Sequence, residues 1–161
     1  MFIKEFRPRV CVLVGMGGIF LLVDQLLKFF ARSNQDFEYH IIGKWLGWEY
    51  MANPGIAFSL PFPNWLLVLI TPLIIFGLVV WLIKLFADKA ADCYLLIANC
   101  LIISGALSNF IDRVLFSATI DYLRILTGVI NLADVMIVVG ATTIVFGELT
   151  RTKKKKIGQA L

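Results

Sequence analysis

Four apolar stretches, each long enough to cross a bilayer, leave this chain little choice of fold. They cover residues 10–30, 65–86, 93–111 and 129–147. A helix of about 20 residues rises about 30 Å, the thickness of a hydrocarbon core. Backbone polar groups in lipid must be satisfied within the segment, so such runs are read as helices. The sequence is 60% apolar and 16% charged, against roughly half and a quarter for a soluble domain. The expected fold class is an all-α membrane protein with four transmembrane helices, in a single integral domain spanning 1–161. The first run also resembles the apolar part of a cleaved signal peptide. It continues past Asp24 to Phe30, however, and Ala31-Arg32-Ser33 is a weak cleavage pattern, so a retained span is expected.

Basic residues orient the spans. Lys4, Arg7, Arg9, Lys84, Lys89, Arg151 and Lys153 to Lys156 fall on one side, and Arg32, Lys44, Arg113 and Arg124 on the other. The positive-inside rule then puts both termini in the cytoplasm. Residues 31–64 and 112–128 face outward, which in a bacterium is the periplasm. The net charge of +4 comes from end clusters that suit anionic lipid, and no nucleic-acid platform is expected. Cys11, Cys93 and Cys100 form no CxxC pair, so buried thiols are expected rather than disulfides or a zinc site.

The first outer loop contains FEYHIIGKWLGWEYM at 37–51. Its aromatic and β-branched residues, broken by Gly43 and Gly47, suggest a hairpin in a small β-rich cradle at the interface. Trp45, Trp48 and Tyr50 suit the headgroup level, either as anchors or as substrate contacts.

Polar residues distant in sequence gather at the outer ends of the spans. An ionised Asp at the centre of a membrane helix costs roughly 2.5–3.5 kcal/mol on insertion scales, so their presence needs a reason. Asp24 and Lys28 are spaced i, i+4 and can pair on one helix face. Asn109, Asp112 and Arg113 share a face at the end of span three, where Arg113 is expected to hold Asp112 ionised. Asn53 and Gly55 read as a turn or a substrate contact. Asp121 falls in the second outer loop and Asp134 in the first turn of span four, where a carboxylate also serves as a cap. Two close carboxylates tend to share one proton, so one can activate water while the other donates to a leaving amine.

Other chemistry has little support. His40 is the one histidine, which removes HExxH and His-cluster metal sites. No GxSxG, Ser-x-x-Lys, Walker A or GxGxxG pattern stands out. A proton-coupled transporter would spread carboxylates through the bundle depth, whereas the inner halves here hold no acid except Glu148 at the boundary. A scaffold subunit would use the small and polar residues for packing alone.

Five ordered motifs carry a resemblance over nearly the whole chain. They read Asp24-Gln25-Leu26-Leu27-Lys28, Asn53-Pro54-Gly55-Ile56-Ala57-Phe58, Gly105-Ala106-Leu107-Ser108-Asn109-Phe110-Ile111-Asp112-Arg113, Ile120-Asp121-Tyr122 and Asn131-Leu132-Ala133-Asp134. With four spans and this size, the chain resembles bacterial lipoprotein signal peptidase, signal peptidase II. The resemblance implies an inner-membrane aspartic endopeptidase without cofactor or metal. It would cut prolipoproteins just before a diacylglyceryl-modified cysteine. The catalytic pair would be Asp121 and Asp134, supported by Asp24, Lys28, Asn53, Gly55, Asn109, Arg113, Asn131 and Ala133, with Asp112 as a brace. It also implies membrane lipid and globomycin-type inhibitors as partners; a monomer is expected because four helices can enclose the site. Many members carry Gly-Gly where this chain has Ser104-Gly105, a Gly at Ser108, and a polar residue at Val135. These departures bear on helix packing rather than on a catalytic group.

Overall fold

The computed structural model describes residues 2–56, 60–88 and 91–160, with side chains of the two terminal helices described between residues 12 and 151. In chain order the elements are α1 (Phe2–Ser33), β1 (Tyr39–Ile42), β2 (Leu46–Asn53), α2 (Asn64–Ala87), α3 (Cys93–Phe116), β3 (Thr119–Ile125), β4 (Gly128–Ile130) and α4 (Leu132–Ala160). Val12–Ser33, Asn64–Ala87, Cys93–Phe116 and Leu132–Arg151 are long and apolar enough to cross a membrane. Large apolar side chains such as Ile19, Leu73, Phe76 and Phe146 are exposed along them. In water such a surface would drive aggregation; against lipid tails it carries no penalty. Of the residues behind the orientation reading, Lys89 lies outside the described residues, as do the side chains of Lys4, Arg7, Arg9 and Lys153 to Lys156.

The central helix is α3, against which α1, α2 and α4 all pack. Small residues allow this in the absence of a hydrophobic drive between helices in lipid. A Cβ on Gly105 would stand 2.5 Å from the Ala133 carbonyl oxygen, so the middle of α3 meets the first turn of α4 backbone to backbone. Ser104 has room for its hydroxyl because α1 presents Gly17 to it. One apolar cluster of Leu13, Leu85, Leu95, Leu96 and Cys100 fills the far end of the bundle. A second, built on Ala31, Ile120 and Tyr122, lies under the sheet. Cys100 is a buried thiol as expected, whereas Cys93 is exposed at the first turn of α3, and the side chain of Cys11 is outside the described residues.

The four strands form one antiparallel sheet in the order β1-β2-β3-β4. The hairpin expected in the first loop is present as β1 and β2, turning through Gly43 at φ 49°. Ala57 and Phe58 of the Asn53-to-Phe58 motif lie outside the described residues. The sheet also recruits β3 and β4 from the second loop, so Asp121 sits on a strand and not in a loop. The alternation in Thr119-Ile120-Asp121-Tyr122 explains it. Ile120 and Tyr122 face the apolar cluster, and Asp121 faces away from it. The pairing of β4 with β3 keeps Val129 and Ile130 out of α4, which starts at Leu132. Helix α3 runs past Asp112 and Arg113 to Phe116, where Ser117 at φ 58° closes it by donating its N–H to the Arg113 carbonyl.

The close approach at Gly105 can be tested. Gly105→Ala is expected to lower stability by about 1–3 kcal/mol, the usual cost of overpacking. Gly18→Ala, where a Cβ meets nothing within 4 Å, is expected to be near neutral. Thermal unfolding of both in one detergent checks this, and equal melting would contradict the packing account.

Candidate active site

Lys28 has the most demanding environment in the bundle. Its side chain is 2% exposed, and its Nζ stands 2.8 Å from Asp24 Oδ2 and 2.9 Å from Asp112 Oδ2. It also donates to Asn109 Oδ1 at 2.8 Å. One ammonium between two buried carboxylates leaves a surplus negative charge, which must be met by donors. Asp24 accepts from the Ser108 hydroxyl at 2.6 Å, the Tyr122 hydroxyl at 2.8 Å and the Ala133 N–H at 3.2 Å. Asp112 accepts from the Ile120 N–H at 3.1 Å and the Gln25 amide at 3.1 Å. The expected pairing of Asp24 with Lys28 is therefore present. The expected reliance of Asp112 on Arg113 is corrected: its ion pair is with Lys28, because Arg113 points to other partners.

The first turn of α4 is capped by residues from three elements. Asn131 is the N-cap. Its side-chain oxygen accepts the Asp134 N–H at 2.8 Å, and Asp134 Oδ2 reaches back to the Asn131 N–H at 3.4 Å, a reciprocal capping box. The Ala133 N–H is met by Asp24 on α1, and the Leu132 N–H by the Tyr122 hydroxyl on β3 at 3.1 Å. The free N–H groups and the helix dipole favour negative charge here. Asp134 also accepts from the Asn109 amide at 2.8 Å, so Asn109 joins Lys28 to Asp134.

Asp121 is 1% exposed. Its Oδ1 accepts from the Asn131 amide at 2.6 Å and its Oδ2 from the Asn53 amide at 3.2 Å. Asn131 thus touches both Asp121 and Asp134. Burial first, then the facing charge of Asp134, pushes the Asp121 carboxyl up to about 7; the Asn53 and Asn131 bonds and the Lys28 charge oppose this. A carboxyl so tuned holds or releases a proton near neutral pH.

Arg113 closes another side. It donates to the Gly55 carbonyl at 2.6 Å and to Asn64 at 3.4 Å, while the Asn64 amide donates to the Arg113 carbonyl at 3.2 Å. Asn53 accepts the Gly55 N–H at 3.0 Å in an Asx turn. The chain after β2 is therefore pinned to α3 beside Asp121. On the sheet, Arg124 pairs with Glu49 and not with Asp121.

All the residues singled out in the sequence meet at this end: Asp24, Lys28, Asn53, Gly55, Asn109, Asp112, Arg113, Asp121, Asn131, Ala133 and Asp134. Ala133 contributes its backbone N–H and, fully buried, no bulk. Four participants were missed as such: Gln25, Asn64, Ser108 and Tyr122. Ser108 had a readable signal, standing one helical turn before Asp112 on the same face. Tyr122 had another, being two residues from Ile120 on a strand. Among the described residues, no three His, Cys, Asp or Glu side chains gather as a metal would need.

The family model described as signal peptidase (SPase) II matches residues 16–150. A lipoprotein signal peptidase from Polynucleobacter necessarius is 33% identical, the match covering 86% of this chain and 90% of that one. One from Syntrophus aciditrophicus is 30% identical, covering 92% and 98%. A bacterial membrane enzyme solved by the in meso method at 2.3 Å superposes with a TM-score of 0.79 at 24% identity, covering 89% and 91%. At that identity the likeness speaks for the fold.

The brace predicts a large single-residue effect. Lys28→Met leaves Asp24 and Asp112 facing each other without a cation and is expected to cost about 3–5 kcal/mol. Parent-like melting of this variant in detergent would contradict the assigned role of the ammonium.

Proposed function

The chain belongs to the signal peptidase II family, and we propose that it works as an aspartic endopeptidase through Asp121 and Asp134. Membership carries the coarser activity: a multi-pass inner-membrane protease that removes signal peptides from prolipoproteins. The finer reading rests on one observation above all. Asn131 joins the buried Asp121 to the half-buried Asp134, and burial first, then the charge of Asp134, pushes the Asp121 carboxyl up to about 7.

The pair holds one proton. The ionised member takes a proton from water, whose oxygen attacks the scissile carbonyl carbon to give a tetrahedral intermediate. The protonated member gives its proton to the departing amine as the C–N bond breaks, and the new acid product leaves the pair ready for another turnover. Because the two are coupled, their apparent pKa values belong to the pair. Asp24, Lys28, Asp112 and Asn109 hold Asp134 in its turn. Asn53, Gly55 and Arg113 hold the strand end beside Asp121. No cofactor is needed for these steps.

The substrate is a prolipoprotein whose cysteine carries diacylglycerol, cut just before that cysteine. Its acyl chains remain in the bilayer, so a site at the interface between α3, α4 and the sheet meets the scissile bond at headgroup depth. The basic residues orient both termini to the cytoplasm and the site to the periplasmic surface. The hairpin of β1 and β2 forms a cradle over the substrate. A globomycin-type inhibitor competes for the same site, and the enzyme acts as a monomer.

Asp121→Asn and Asp134→Asn are each expected to lower turnover of a diacylglyceryl-modified precursor about 10²–10⁴-fold. Activity of the parent falls as pH rises through about 7, where the pair loses its shared proton. The stability sign follows from the same shift. A carboxyl raised from 3.8 to about 7 favours the fold below pH 4, and that contribution is lost as pH rises from about 4 to about 7. The stability difference between parent and Asp121→Asn therefore moves against the parent over that window. Parent-like turnover by either well-folded variant would defeat the pair.

A further inference from the structure

We infer that Tyr122 is a positioning residue, whose hydroxyl bolts the strand carrying Asp121 to the helix turn carrying Asp134. The inference rests on the proposed carboxylate pair and assigns what sets its geometry. Tyr122 is fully buried. Its hydroxyl donates to Asp24 Oδ1 at 2.8 Å and accepts the Leu132 N–H at 3.1 Å. Its ring stacks on Trp48 with centroids 4.9 Å apart and planes 30° apart, and Trp48 in turn meets Phe30 edge-on. The ring therefore cannot swing, and the hydroxyl is fixed at the α4 N-terminus.

The placement follows from two periodicities. On β3, Tyr122 is next to Asp121 and points to the opposite face. On α4, Leu132 is two residues before Asp134 in the same turn. A single hydroxyl thus links the neighbours of both carboxylates, and it does so through Asp24, which is already held by Lys28. Burial and the Asp24 charge raise the Tyr122 hydroxyl well above its ordinary range, so it stays a donor at any working pH. The charged groups around the pair are Asp24 and Lys28 on α1, Asp112 and Arg113 on α3, and the Glu49–Arg124 pair on the sheet. Removing the neutral hydroxyl changes none of these charges; Asp24 loses one hydrogen bond and keeps those from Ser108, the Ala133 N–H and Lys28.

A plain core aromatic predicts that phenylalanine serves equally well at 122. A positioning residue predicts a looser pair. Weaker coupling brings the two apparent pKa values of the pair together, so the window of the singly protonated form narrows from both sides. The test is the pH profile of precursor cleavage by Tyr122→Phe, which keeps the ring and its stacking. We expect kcat to fall about tenfold, KM to stay within about twofold, and both limbs of the profile to move inward. Leu132→Pro provides a second variant. It removes the N–H that Tyr122 accepts and trims the leucine side chain packed on the Tyr122 cluster, at a first-turn position where proline is tolerated, and the same narrowing is expected. A parent-width profile in both, or a drop equal at every pH, would overturn the inference. Asp121→Asn and Asp134→Asn run alongside. If either is active, the pair itself is wrong; if both are inactive while Tyr122→Phe keeps the parent profile, only the role of Tyr122 is wrong.

Discussion

The ammonium of Lys28, held between Asp24 and Asp112 inside the bundle, is the interaction on which the rest of the site depends. Charges removed from water cost several kcal/mol each unless they are paired and hydrogen-bonded. The chain meets that cost with groups from four elements: Gln25, Ser108, the Ile120 and Ala133 N–H groups, and the Tyr122 hydroxyl. Each group that satisfies a carboxylate also ties another element to the brace. The brace thereby organises α1, α3, α4 and β3 in one step, and a bilayer gives no alternative solvent for any of these groups.

Helix ends make the arrangement favourable. Lys28 and Arg113 lie toward the C-terminal ends of α1 and α3, where the dipole prefers a cation, and Asp134 lies in the first turn of α4, where it prefers an anion. The capping box at Asn131 then serves two purposes. It completes the α4 N-terminus and lets one amide touch Asp121. Asn131, the N-cap of α4, is by the same contacts the link between two carboxylates.

Much of this was legible from residue order. Four apolar runs named the spans, and the i, i+4 spacing of Asp24 and Lys28 named their pair. The layer of polar residues at one end named the site. What was not legible came from contacts between segments far apart in sequence. Asp112 looked committed to the adjacent Arg113, but the helix turns Arg113 toward Gly55 and Asn64 and leaves Asp112 to α1. Asp121 looked like a loop residue because β3 acquires its strand character only by pairing with β2. Ser108 looked like a packing residue, yet its hydroxyl donates to Asp24 and accepts from Gln25. Strand pairing and buried networks depend on tertiary context that local periodicity does not carry.

The central claim is that Asp121 and Asp134 act as one proton-sharing unit. Infrared difference titration of the carboxyl band attributable to Asp121, identified by its loss in Asp121→Asn, tests it most directly. The account predicts protonation with a midpoint near 7, and a lower midpoint once Asp134→Asn removes the facing charge. A midpoint in the ordinary carboxylate range, or one indifferent to Asp134, would contradict it.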